Sequence, residues 1–140
     1  MSTVSVRYIV NDISEAIDFY TGRLGFEVRM HPNDLFAMLV RGDLRLVLVK
    51  PVGPDAAGGG AAMPDGTMQH PGGWNRFSLE TEDLDSLLAD LKAGGGVHFR
   101  GEQVTGVGGK QIILDDPSGN PIELFQPIIP EASLDPPKTP

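Results

Sequence analysis

The sequence predicts an α+β protein built from two βαβββ modules. Three observations carry that prediction: an internal repeat, an amphipathic helix stopped by glycine in each copy, and strand-like runs closed by tight-turn residues. "VNDISEAIDFYTGRLGFEVR" from Val10 aligns with "TEDLDSLLADLKAGGGVHFR" from Thr81 when Asp12 is set on Asp83, an offset of 71. The same offset pairs Gly25 with Gly96 and Arg29 with Arg100.

Each copy opens with a strand, then an Asp suited to cap a helix. The first helix carries an apolar stripe of Ile13, Ala16, Ile17, Tyr20 and Leu24, and the second one of Leu84, Leu87, Leu88 and Leu91. Such stripes are what any packed amphipathic helix presents to a core. Three strand runs follow each helix. The first copy gives "FEVRMH", "LFAMLVR" and "LRLVLVKP" with "RGD" as a hairpin turn; the second gives "GVHFR", "GKQIILDD" and "NPIELFQP" with "PSGN" as the turn. Matching Pro51 to Pro127 requires an offset of 76, so the second copy holds five extra residues, best placed around "GEQVTGVGG".

These runs divide the chain into a first module at 3–51, a connection at 52–73, a second module at 74–127 and a Pro-rich tail at 128–140. The connection holds seven of the chain's 18 glycines and is either a disordered linker or a functional lid. The tail is expected to strap across a surface or to dangle.

Composition narrows function. At 140 residues and 40% hydrophobic, the chain is long enough for one domain or two small modules with a common core. The lack of cysteine excludes disulfides, thiolate metal sites and a cysteine nucleophile. A net charge of −8 excludes the basic patch that nucleic acid requires, and a weak preference for cationic ligands follows. No apolar run reaches the roughly 20 residues of a membrane span, and the N-terminus lacks a signal-peptide pattern, so a cytoplasmic protein is expected. "GVGGK" fails as a phosphate loop, because Val104 stands where the first Gly belongs and Gln111 follows the Lys. No Ser stands in recognisable relation to a His and an acid.

Glu123 in "DDPSGNPIELFQP" is the residue that demands a chemical account. An ionised carboxylate on a half-buried strand costs several kcal/mol unless it is paired.

Two βαβββ copies, with "FYTGRLGFEVR" after the first helix and "DDPSGNPIELFQP" at the last hairpin, closely resemble the vicinal oxygen chelate superfamily. That group includes glyoxalase I, bleomycin-resistance proteins and extradiol dioxygenases. The resemblance covers residues 3–127 and implies modules that form a cupped mixed sheet with helices on the outer face. It also implies a homodimer, since related proteins commonly complete their clefts with a second chain.

The family's metal-dependent members draw ligands from the first and last strand of each module. Carried over, those positions are Ser5, Val47, Arg76 and Glu123, of which only Glu123 can serve as a ligand. No metal site and no cofactor are therefore expected. His31, His70 and His98 have no ligand-like spacing.

If Glu123 faces the cup, strand alternation turns Ser5, Arg7, Ile9, Val47, Val49, Arg76, Ser78, Glu80 and Phe125 inward with it. Val6, Tyr8, Val10, Phe77, Leu79, Ile122 and Leu124 then face the helices. Arg76 is the expected partner of Glu123, with Arg7 and Glu80 extending the network. Trp74 would offer a flat surface at the cleft mouth or else serve as ordinary core, and Phe36 and Met38 are further apolar candidates. The ligand-binding set is thus Arg7, Phe36, Met38, Val47, Trp74, Arg76, Ser78 and Phe125.

Three functions fit these residues. The first is a small-molecule-binding protein of the bleomycin-resistance type, sequestering a drug or natural product without a metal. The second is a glyoxalase-like lyase or isomerase with Glu123 as general base and Arg76 orienting the substrate. The third is a structural or regulatory descendant whose cleft its own side chains fill.

Overall fold

A computed structural model describes residues 3–53 and 59–133. The chain forms two compact units. One takes the chain up to Gly73 together with Asp116–Asn120; the other takes Trp74–Asp115 and the chain from Pro121.

In the first unit β1 (Val4–Ile9) leads through α1 (Ile13–Leu24) to β2 (Glu27–Asn33), β3 (Phe36–Arg41) and β4 (Leu44–Val49). The sheet order is β1-β4-β3-β2, with β1 parallel to β4 and the other pairs antiparallel. Helix α1 starts where the Asp12 carboxylate accepts the Glu15 N–H at 2.9 Å, which satisfies one of the free donors of the first turn. It stops at Gly25, whose φ of 73° is the left-handed conformation that residues with a Cβ adopt only at a cost. Its buried residues are Ile13, Ala16, Phe19, Tyr20 and Leu24. Phe19 joins the expected stripe, meeting Tyr20 edge-on at 5.2 Å between ring centroids, while Ile17 is only half-buried. Leu39, Leu46 and Leu48 fill the sheet side of this core and are fully buried.

The second unit repeats the plan with β5 (Phe77–Glu80), α2 (Leu84–Gly94), β6 (His98–Phe99), β7 (Val104–Thr105), β8 (Gly109–Asp115) and β9 (Pro121–Pro127). Its order is β5-β9-β8-β6, with β7 also paired to β8. Asp83 caps α2 through the Ser86 N–H, and the helix ends one turn position earlier than the repeat suggests, at Gly95 rather than Gly96. The additional residues of the second copy do not form a plain loop. They break the strand equivalent to β2 into β6 and β7, and the second piece pairs Val104 with Gln111 and Thr105 with Lys110.

Register confirms the two offsets read from the sequence. Arg7 lies opposite Val47 in the parallel β1–β4 pair, and Ser78 lies opposite Glu123 in the parallel β5–β9 pair. Of the expected helix-facing positions, Tyr8, Val10, Phe77, Leu79, Ile122 and Leu124 are buried and Val6 is half-buried. Beyond β9 the chain makes a short 3-10 turn at Pro130–Ala132, preceded by an Ile128 N–H to Gly108 carbonyl bond of 2.9 Å. Residues 134–140 of the expected tail and 54–58 of the connection lie outside the described residues. Among the described residues no helix is long and apolar enough to cross a membrane.

The fold is thus α+β, with two βαβββ modules and a mixed sheet in each. Gly109 is fixed by packing and not by its backbone conformation. A Cβ at Gly109 would collide with the Gln126 carbonyl oxygen and with the Phe125 ring, and backbone cannot move aside as a side chain can. Gly109→Ala is expected to cost about 1 to 3 kcal/mol in urea denaturation and to displace Phe125, visible as shifted ring resonances in the NMR spectrum.

Candidate functional site

In the second unit, the sheet face opposite α2 carries five of the residues singled out in the sequence: Trp74, Arg76, Ser78, Glu123 and Phe125. The alternation that buries Ile122 and Leu124 turns Glu123 and Phe125 to this face, where both are half-buried. Glu123 has its expected partner. Arg76 donates to Glu123 Oε1 from Nε at 3.2 Å and from Nη2 at 3.0 Å, while its Nη1 donates to the Trp74 carbonyl at 3.2 Å. Both side chains of the pair keep less than a third of their surface in water, so the attraction is only partly screened. Glu123 Oε2 has no donor among the described residues.

Arg7 and Glu80, expected in this network, have contacts of their own. Arg7 belongs to the first unit, where its guanidinium abuts Gly59, and Glu80 Oε2 accepts the Ser133 hydroxyl at 3.3 Å. The extension runs through residues that the sequence did not single out. The Arg100 guanidinium lies over the Trp74 ring, 4.7 Å from its centroid. Arg100 Nε donates to Asp115 Oδ1 at 2.6 Å, and His98 Nδ1 lies 2.9 Å from Asp115 Oδ2. A carboxylate accepts only, so Nδ1 carries the proton in this pair. A chain of contacts therefore runs Glu123–Arg76–Trp74–Arg100–Asp115–His98 along one face of the unit.

Local structure explains this order. His98 is the register partner of Asp115, and Asp115 of Pro121, two residues before Glu123. Arg100 follows the last residue of β6, and its N–H bonds the Ile113 carbonyl at 2.8 Å, which sets its side chain beside Asp115. Arg100 and Asp115 are well covered, at 16% and 15% side-chain exposure, whereas Trp74 leaves 67% of its surface in water. One side of the indole is thus held by a cation and much of the rest is available. Ser78, opposite Glu123 and exposed, completes the row.

The remaining candidates, Arg7, Phe36, Met38 and Val47, share the helix-free face of the first unit's sheet. Arg7, Val47, Met38 and Met30 form one cross-strand row, and Ile9, Val49, Phe36 and Asn33 the next. Val47 is 7% exposed and Val49 3%, so these two are packed surfaces, while Phe36 and Met38 are half-buried. Ser5, two residues before Arg7, stands to Val47 as Arg76 stands to Glu123. Among the described residues no group of three or more His, Asp or Glu side chains is placed to hold a metal ion.

The turn between β8 and β9 belongs to the first unit and has a different chemistry. Asp116 Oδ1 accepts the N–H groups of Ser118 and Asn120, both at 2.9 Å, and Oδ2 accepts the Tyr20 hydroxyl at 2.8 Å and Asn120 Nδ2 at 3.0 Å. Asn120 also donates to the Ile9 carbonyl at 2.7 Å and accepts the Gly72 N–H at 2.8 Å. Burial raises the Asp116 pKa, although its hydrogen bonds with Asn120, Tyr20 and Ser118 pull the other way. Burial, and then the neighbouring carboxylate, push Tyr20 well above the ordinary tyrosine range, so its hydroxyl stays a donor. The adjacent acids of "DDPSGN" therefore divide the work: Asp115 serves the exposed face and Asp116 an internal knot.

Comparison with known proteins agrees with this architecture. Residues 3–124 match the family model described as the Glyoxalase/Bleomycin resistance protein/Dioxygenase superfamily. No curated protein matches the chain. Among solved structures, a superfamily member from Sphaerobacter thermophilus is 28% identical over 90% of this chain and 97% of its own, with a TM-score of 0.68. TnmS3, an antibiotic-binding protein from a Streptomyces species, is 27% identical over 91% and 96%, with a TM-score of 0.65. A lactoylglutathione lyase from Agrobacterium tumefaciens shares the fold at 17% identity over 89% and 92%, with a TM-score of 0.68. With the repeat, the two mixed sheets and the family match over most of its length in agreement, this chain belongs to the Glyoxalase/Bleomycin resistance protein/Dioxygenase superfamily.

Proposed function

We propose that the protein binds and sequesters a small organic molecule bearing a planar group, as a drug or natural product would, and that it does so without a metal. The observation that carries this reading is the Trp74 indole, 67% exposed yet fixed by Arg100 across its ring and by Arg76 at its carbonyl. An aromatic surface that is already ordered loses little side-chain entropy when a ligand stacks on it. The similarity to an antibiotic-binding protein supports the same class of ligand.

The donor set at the positions that metal-dependent relatives use does not fit a divalent ion. Ser5, Val47 and Arg76 offer a hydroxyl, a hydrocarbon and a permanent cation, and the guanidinium of Arg76 already occupies Glu123. A homodimer is part of the same proposal, on the ground of the family alone.

Thermal-shift screening against antibiotics with planar aromatic groups tests the reading, because a ligand that binds the native state raises the melting temperature. For a compound that scores, Trp74→Ala is expected to weaken binding by about 1 to 3 kcal/mol, measured by calorimetric titration. Unchanged affinity in the variant would return Trp74 to a structural role.

A lyase or isomerase reading rests on one observation, the Oε2 atom of Glu123, which has no donor among the described residues and is oriented by the bonds to Oε1. Glu123→Gln would abolish turnover by that route while leaving sequestration of a neutral ligand nearly intact.

A further inference from the structure

The second unit holds a hollow of about 310 Å³ on the side of its sheet that packs against α2, away from the face that carries Trp74 and Glu123. Leu88 and Lys92, one turn apart on α2, make one wall. Phe99 of β6 and Ile112 of β8 make the floor, and residues 101–103 make the other wall.

Register explains why a hollow forms there. Phe99 pairs with Leu114 and Val104 with Gln111, so between these pairs one side of the ladder passes through residues 100–103 while β8 passes only through Ile112 and Ile113. The surplus residues form a bulge, and the bulge is the second wall. Phe99, opposite the fully buried Leu114, shares the helix-facing side of the sheet with Ile112, which is buried. The floor is therefore apolar and fixed by the ladder.

The Lys92 ammonium is placed at that floor by a measured contact. Its Nζ lies 5.8 Å from the centroid of the Phe99 ring, within the range of a cation–π interaction. Lys92 stands on the helix and Phe99 on the sheet, so the side chain crosses from the wall to the floor and brings its charge there. Lys92 forms no hydrogen bond or ion pair with a described residue, and that includes Glu102, which is exposed in the same lining. A ring face engages the charge but leaves the three N–H donors free for a stronger acceptor, and a carboxylate is the acceptor that suits them best.

We infer that this hollow is a site for a small organic acid. An apolar body rests on Leu88, Phe99 and Ile112, and the carboxylate meets the Lys92 ammonium. A pocket of this size is at the small end of those that hold organic ligands, which limits the body to about one ring and a short arm. The chain's net charge of −8 opposes anions at long range, but at physiological salt that field is screened within about 8 Å, and the nearby ammonium decides. The site lies on the other side of the sheet from Trp74 and stands independently of the sequestering role.

NMR titration of the isotope-labelled full chain at physiological salt, with phenylacetate and with its uncharged counterpart phenethyl alcohol, tests this. Phenylacetate is expected to shift the Leu88 and Ile112 methyl resonances saturably and to bind about tenfold more tightly than the alcohol. Lys92→Gln, an exposed change that leaves the apolar floor intact, is expected to weaken the acid by about tenfold and to leave the alcohol unchanged. Trp74→Ala is expected to alter neither, so failure of the Trp74 proposal and failure of this one are separately visible. No saturable shift at Leu88 and Ile112 in the parent, or parental affinity for the acid in Lys92→Gln, overturns the assignment.

Discussion

Asp116→Ala is expected to destabilise the protein by about 3 kcal/mol or more, which for a chain of this length lowers the melting temperature by roughly 10 °C. Four hydrogen bonds converge on the two oxygens of this carboxylate, from two backbone N–H groups, the Tyr20 hydroxyl and the Asn120 amide. Tyr20 is 0% exposed and Asn120 4%, so donors that lose Asp116 cannot turn to bulk water. The cost is therefore that of several stranded polar groups and not of one bond. Tyr20→Phe, which removes one donor to Asp116 and leaves the other three in place, is expected to cost only about 1 kcal/mol. Equal losses in the two variants would show that the knot is not cooperative.

The same residue makes a signed prediction for pH. Its folded pKa is raised, so between the ordinary carboxylate value and the folded one the native state holds a proton that the unfolded state has released. Asp116 therefore contributes most below the ordinary value, and its contribution declines as pH rises through the folded value. Measured against Asp116→Asn, which cannot titrate, the parent's relative stability should fall from acid toward neutral pH. A relative stability that rises over that window would mean that the hydrogen bonds outweigh burial.

Why the sequence revealed one part of the site and concealed another follows from the distances along the chain. The ligand positions that the family resemblance implies, carried over onto the repeat, singled out Arg76 and Glu123, and alternation put both on one face of a parallel pair. Arg100, Asp115 and His98 needed the β6–β8 register, and β6 is only two residues long, too short for a periodic signal. The repeat did hold a hint, since Arg100 aligns with Arg29, but nothing in the pattern says that its guanidinium meets an indole. The Asp116 knot was concealed for a different reason. Its partners lie 96 and 111 residues away, at Tyr20 and, through Asn120, at the Ile9 carbonyl, and a turn-like "DPSGN" reads as local chemistry. Four of the five extra residues precede β8 and one falls in the β8–β9 turn, and the capacity of the first group to pair as β7 depends on an edge that β8 supplies.

The second large effect concerns Glu123. Arg76→Gln is expected to cost about 2 kcal/mol of stability, because the carboxylate keeps its partial burial, at 17% exposure, and loses two charge-assisted bonds. Glu123→Gln in the same chain is expected to recover most of that loss, since two neutral amides carry no unpaired charge and can bond to each other. A double-mutant cycle in urea isolates the coupling, and zero coupling would mean that the pair is an ordinary screened surface contact. The doubly substituted protein then decides what the pair is for. If Arg76 and Glu123 only fix β5 against β9, it binds ligand as the parent does. On the proposed reading the charges also orient the ligand that stacks on Trp74, so the double variant is expected to be nearly as stable as the parent and to bind about tenfold more weakly, a loss of about 1.4 kcal/mol. Stability and affinity part company only if the charges face a ligand, and that separation is what distinguishes a binding site from an internal brace.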